Sequence, residues 1–112
     1  CGIMVYEADK ACQILEKEGV HCRLINMASI APIDRDLITE TAKKCGKIVT
    51  AEEHSIVGGL GSAVAEVLAE TVPCKLSRVG VRKHCLSGKP EELMAYHNLT
   101  AQDIVAAVKA LL

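Results

Sequence analysis

Aromatic side chains are almost missing from this chain: it has two tyrosines, no tryptophan and no phenylalanine. Single-strand nucleic-acid binding that stacks bases on rings therefore has no platform. No sign of charge dominates either. The formal net charge is −1, and the lysines and arginines are spread along the chain instead of forming a basic stripe, which argues against a dedicated nucleic-acid partner. No apolar run approaches the roughly 20 residues a membrane span requires, and no secretory signal is visible. The expectation is a cytoplasmic protein with no membrane and no nucleic-acid partner. Close cysteine pairs are lacking too. Cys1, Cys12, Cys22, Cys45, Cys74 and Cys85 include no CxxC, the spacing by which zinc sites usually announce themselves. They read as reduced, core-filling thiols.

What is present is apolar substance. Half of the 112 residues are hydrophobic, enough for one domain, 1–112, with a core of its own. From Ile3 to Glu18, Val5, Ala8, Cys12 and Leu15 recur at helical steps until Gly19 stops the helix. His21 to Met27 reads as a strand, its nearly continuous apolar run suiting a strand covered on both faces. Asp34 caps a helix running to about Cys45, with Lys43 and Lys44 in the last turn and Gly46 as its end. Lys47 to Ala51 and Lys75 to Val81 are further strands, and Gly61 to Glu70 is a helix between them. Pro90 opens a short helix. Thr100 and Asp103 form a capping-box-like start to the last helix. Helix and strand alternate throughout, so the expected fold is α/β: three layers, α/β/α, around a mostly parallel sheet. No strand precedes the first helix, although an α/β unit calls for one there.

The densest cluster of chemistry-bearing residues runs from Thr50 to Ser62, after a strand's carboxyl end and into a helix, where open α/β sheets tend to bind ligands. The residues singled out are Glu52, Glu53, His54, Gly58, Gly59 and Gly61. Three readings compete. A dinucleotide fingerprint fails on spacing, because Gly59-Leu60-Gly61-Ser62-Ala63-Val64 lacks the third glycine and the turn from the strand is long. A catalytic pair at Glu53 and His54 is disfavoured, because neighbours on an extended segment point to opposite faces. The favoured reading is a structural loop that packs against another domain or subunit, with a glutamate satisfying backbone donors and the glycines allowing close approach. Free amides at the helix start also leave an anion-binding role open. Arg82, Lys83 and His84 are a weaker anion-binding trio, for which a solvated loop is the plainer reading. His21 reads as a surface residue, and His97 as a dipole-stabilised residue near a helix end.

The stretch Val49-Thr50-Ala51-Glu52-Glu53-His54-Ser55-Ile56-Val57-Gly58-Gly59-Leu60-Gly61-Ser62 resembles the C-terminal domain of transketolases, especially the split, two-subunit kind. Gly2-Ile3-Met4-Val5, Arg23-Leu24-Ile25-Asn26-Met27, Pro32-Ile33-Asp34, Arg78-Val79-Gly80-Val81, Ser87-Gly88, Glu91-Glu92-Leu93 and Leu99-Thr100 match the same domain in order. Deoxyxylulose-phosphate synthases and the beta subunits of 2-oxo-acid dehydrogenases share this domain type and stand as alternative parents. A free-standing anion-binding module is the remaining alternative. The resemblance implies a parent enzyme that moves two-carbon ketol units between sugar phosphates in the pentose phosphate pathway, with thiamine diphosphate and Mg bound by other domains. It implies no catalytic, cofactor-binding or metal-ligating residue here, since the Gly-Asp-Gly metal motif is absent from this sequence. It implies a role in assembly, with other domains or subunits of the transketolase as partners and a homo-oligomeric parent, and an isolated chain without activity.

The likeness has gaps. The family usually carries an acidic residue and an aromatic between the third-strand Gly-Val and the Ser-Gly pair, where this chain reads Arg82-Lys83-His84-Cys85-Leu86. Asn98 stands where the family commonly has glycine, a position past a helix end that asparagine tolerates. The family's edge strand and central parallel strand have no counterpart ahead of Gly2. The expectation is a fragment or incomplete gene product, or a sheet completed by a partner chain.

Overall fold

The computed structural model describes residues 3–27, 32–82 and 99–112. Helix α1 spans Ile3–Lys17, α2 Arg35–Cys45, strand β1 Lys47–Ser55, helix α3 Leu60–Glu70, strand β2 Lys75–Val81 and helix α4 Ala101–Leu111. β1 and β2 pair in parallel, from Lys47 opposite Lys75 to Ala51 opposite Val79, with α3 as the crossover. Strand residues alternate between two faces, and the core divides accordingly. Val49, Ala51, Val79 and Val81 pack with Met4, Ala11 and Leu15 of α1 and Ile104 and Val105 of α4. On the other face Ile48 and Leu76 meet Ile38 and Ala42 of α2 and Val64, Val67 and Leu68 of α3. The result is the expected α/β/α layering.

Local chemistry sets the helix ends. Asp34 accepts from the Leu37 amide at 3.0 Å, and Gly46, at φ 69°, ends α2 with its N–H on the Ala42 carbonyl. At α4 both halves of the capping box form between Thr100 and Asp103. Glu7 of α1 accepts from the Ala101 amide at 3.2 Å, tying the first helix to the start of the last.

The stripe expected on α1 is turned slightly. Met4, Ala11 and Leu15 are the fully buried residues, whereas Val5 and Cys12 are half-buried. Those two line a groove with a cavity volume of about 350 Å³. Lys47 to Ala51 also line it without a break. Because successive strand side chains point to opposite faces, an unbroken run of lining residues means that the groove follows the edge of β1 away from β2.

The strand expected over His21 to Met27 does not form. The segment has neither helix nor ladder bonds, and among the described residues the sheet has two strands. The reason is geometric. A strand needs a neighbour about 4.8 Å away, and between this segment and the free edge of β1 lies the groove, with Cys22 and Leu24 on one side and β1 on the other. Leu24, expected to be covered, is 42% exposed. The short helix expected at Pro90, and the expectations for Cys1, Gly2, Cys85, Ser87, Gly88, His97 and Asn98, lie outside the described residues.

Candidate functional site

The parallel ladder breaks where the candidate cluster begins. Ala51 faces Val79 and Ser55 faces Val81, so Glu52, Glu53 and His54 stand opposite the single residue Gly80. This bulge extends β1 to Ser55, beyond the Ala51 end that periodicity suggested, and it re-aims the side chains. Glu52 turns inward and is 1% exposed, while Glu53 remains exposed. The cluster is thus divided between the interior and the surface.

Glu52 closes the start of α3. Its Oε1 accepts the Leu60 amide and its Oε2 the Gly61 amide, both at 2.8 Å. The N-cap position holds Gly59, which offers no side-chain oxygen. A strand carboxylate thereby does the work an N-cap Ser or Asp would normally do, and its negative charge sits at the positive end of the helix dipole. The glycines make room for it. A Cβ on Gly59 would lie 2.0 Å from Glu52 Oε1. A Cβ on Gly61 would come within 2.6 Å of the Arg78 side chain and 2.9 Å of Thr50 Oγ1.

The rest of the loop is held by its own polar groups. Ser62 Oγ donates to the Ile56 carbonyl at 2.9 Å and accepts the Gly58 amide at 3.1 Å, with Gly58 at φ 75°. Arg78 on β2 donates to the same Ile56 carbonyl at 3.2 Å, and Ser55 Oγ accepts the Val57 amide. Thr50 Oγ1 is buried without a partner among the described residues. Arg78, Ser62 and Thr50 were not among the residues picked out from sequence. Arg78 had a signal, as a charge in the middle of a short strand. The other two mark the ends of the cluster, and their roles depend on how closely α3 approaches the sheet.

Arg82 is exposed, and its guanidinium donates to the Arg78 carbonyl at 2.7 Å. Lys83 and His84, the other members of the weak anion-binding trio, lie outside the described residues. The described residues offer few donors to a metal or a diphosphate. They contain no group of three or more His, Cys, Asp or Glu that could hold a metal ion, and the α3 amides of Leu60 and Gly61 already donate to Glu52. No helix among them is long and apolar enough to cross a membrane.

A parallel β1–α3–β2 unit sandwiched between helix pairs, with its crossover helix capped by a buried strand glutamate, defines a layered α/β domain built around a closed loop. Comparison with known proteins gives that domain its family. Residues 1–104 match the family described as transketolase, C-terminal domain, and the chain belongs to it. It is 43% identical over 108 residues to a 6-deoxy-6-sulfo-D-fructose transketolase subunit of Clostridium sp. (strain MSTE9), covering 95% of this chain and 33% of that protein. It is 36% identical over 112 residues to a 1-deoxy-D-xylulose-5-phosphate synthase of Heliobacterium modesticaldum, covering 98% of this chain and 17% of that protein. Among solved structures, a split gene transketolase described as an inactive beta4 tetramer superposes with a TM-score of 0.95 at 49% identity, covering 98% of this chain and 36% of that one. The chain thus spans about a third or less of the length of these relatives, and it is homologous to the C-terminal regions of split transketolase subunits and of deoxyxylulose-phosphate synthases.

Proposed function

We propose that this chain is the assembly domain of a thiamine-diphosphate-dependent transketolase that transfers two-carbon ketol units between sugar phosphates, with the cofactor and its Mg bound by other domains. The chain alone has no activity, and the parent is a cytoplasmic homo-oligomer of the pentose phosphate pathway. The observation that carries the assembly role is the groove along the free edge of β1, walled by α1 and the 20–27 segment. A strand edge without a ladder neighbour among the described residues, beside apolar walls, offers a place for a neighbouring element to add. The loop of Glu52, Glu53, His54, Gly58, Gly59 and Gly61 serves the same role in a different way. Its buried half is held by hydrogen bonds to Glu52, Ser62 and Arg78, so its exposed half, including Glu53, is positioned to meet another domain or subunit. Against an anion-binding role for this loop stands the commitment of the Leu60 and Gly61 amides to Glu52.

The test combines binding and turnover. Thiamine diphosphate with Mg is expected to leave the melting temperature of the isolated chain unchanged, and the chain alone is expected to turn over no ketose phosphate. Joined to or mixed with the remaining transketolase domains, it is expected to restore both activity and a larger particle in sedimentation. A magnesium-dependent thermal shift of the isolated chain would overturn the proposal. The likeness to deoxyxylulose-phosphate synthases supports a second parent. The completed enzyme decides between them: ketol transfer between sugar phosphates favours the first, and formation of 1-deoxy-D-xylulose 5-phosphate the second.

A further inference from the structure

Four cysteines fall among the described residues: half-buried Cys12 and Cys74, and exposed Cys22 and Cys45. Cys12 lies in the middle of α1 on the side that faces the groove. Beyond the end of the helix, Gly19 (φ 82°) turns the chain, the Val20 amide donates to the Leu15 carbonyl at 2.9 Å, and the Val20 side chain packs back into the α1 core. The chain therefore retraces its path along the helix. From Gly19 back to Cys12 is about 10.5 Å at the helical rise per residue. From Gly19 on to Cys22, three residues of chain reach about 10 Å. Both residues thus come to the same level of α1, and both line the groove. Burial first, then the neighbouring Cys22 thiol, then Asp9 and Glu16, push the Cys12 thiol up to about 11. Cys12 is therefore held protonated at neutral pH.

We propose that Cys12 and Cys22 are an oxidation site, forming a reversible intramolecular disulfide with a low-molecular-weight disulfide such as oxidised glutathione as oxidant. Exposed Cys22 reacts first. Its thiolate attacks one sulfur of the small disulfide, breaks the S–S bond and releases one glutathione thiol, leaving a mixed disulfide on Cys22. Cys12 Sγ then gives up its proton, attacks Cys22 Sγ and expels the second glutathione thiol. The protein loses two electrons and two hydrogens, and the oxidant gains them as two thiols. The new bond fastens the 20–27 segment to α1 and fixes one wall of the groove along β1. This site goes beyond the assembly role and stands whether or not that role does.

Peptide mapping of the full chain tests it. After incubation with oxidised glutathione and blocking of free thiols with N-ethylmaleimide, trypsin cuts after Lys10, Lys17 and Arg23. Cys12 is then carried on the peptide 11–17 and Cys22 on the peptide 18–23. The expected main product is these two peptides joined, lighter by two hydrogens than their sum and separated by dithiothreitol. Cys22→Ser abolishes the link and leaves Cys12 unmodified, while Cys12→Ser stops at glutathione on Cys22. Oxidised wild type melts several degrees higher than reduced, a shift that Cys22→Ser lacks. Cys22 persisting as a mixed disulfide in the wild type, or a dominant link joining any other cysteines, such as Cys45 to Cys74, overturns the proposal. Cys22 is exposed, so the Cys22→Ser chain and the wild-type map decide the matter even if Cys12→Ser fails to fold.

Discussion

The two edges of β1 differ in how completely the chain satisfies them. Toward β2 the ladder runs from Lys47 to Ala51, and where it breaks, Glu52 turns inward to take the first amides of α3. On that side each interruption of regular structure is answered by a side chain from nearby: Glu52 for the helix start, Ser62 for the Gly58 amide, Arg78 for the Ile56 carbonyl. Toward the 20–27 segment the same strand borders an open groove, and a leucine that reads as a core residue remains 42% exposed. The contrast separates the part of the domain that stabilises itself from the part that offers a surface to its neighbours. Substitutions on the closed side should be costly in the isolated chain, and those of exposed residues on the 20–27 wall of the groove should matter more in a larger assembly.

Glu52→Ala should show the largest effect. It leaves two buried amides without acceptors, each worth about 1–3 kcal/mol, so a loss of about 3 kcal/mol is expected in urea unfolding. Glu53→Ala, one residue away and exposed, should stay within about 0.5 kcal/mol. Equal effects would erase the distinction between the buried and presented halves of the loop. Glu52→Gln should fall between them, because its amide nitrogen would face an N–H donor where an oxygen now accepts.

Gly59→Ala comes next, at about 2 kcal/mol, since its methyl group would fall on Glu52 Oε1. With Glu52→Ala in the same chain the contact with the carboxylate disappears, and the Ser55 carbonyl, 2.9 Å from the added Cβ, still opposes it. The two losses should therefore fail to add by about 1 kcal/mol or more, which a double-mutant cycle measures. Additive losses would mean that the glycine is not there to admit the carboxylate. Smaller again is Thr100→Ala, which removes the capping box at α4 and should cost about 1 kcal/mol, read from the unfolding midpoint.

What could be foreseen followed the range of the interactions. The ends of α2 and the start of α4 were legible because Asp34, Gly46, Thr100 and Asp103 act within a turn of their own helices. A glutamate satisfying backbone donors was foreseeable in kind, although the choice between Glu52 and Glu53 was not. That choice depends on a bulge set by three residues facing Gly80 and on amides eight and nine positions away. One sign was present: α3 opens on Gly59, Leu60 and Gly61, with no Ser, Thr, Asp or Asn to cap it, so the cap had to come from elsewhere. The strand read at His21 to Met27 failed for the opposite reason. Its apolar run records what the segment prefers to lie against, but pairing is non-local, and no pattern within those residues supplies the partner.

Leu24 provides the smallest and most discriminating test. Its place in the apolar run Cys22 to Met27 suggests a residue covered on both sides, and burying a leucine is worth about 1.5–3 kcal/mol. In this chain it is 42% exposed, so a large part of that transfer is not realised. Leu24→Ser should then change the unfolding free energy of the isolated chain by about 1 kcal/mol, against about 3 kcal/mol for Leu15→Ala, whose side chain is 1% exposed. If a further strand or subunit fills the groove in the assembled enzyme, the same Leu24→Ser change should weaken association and lower the melting temperature of the complex by more than that of the free chain. A loss confined to the free chain would place Leu24 in the core of the domain, and the open edge of β1 would no longer mark where its neighbours attach.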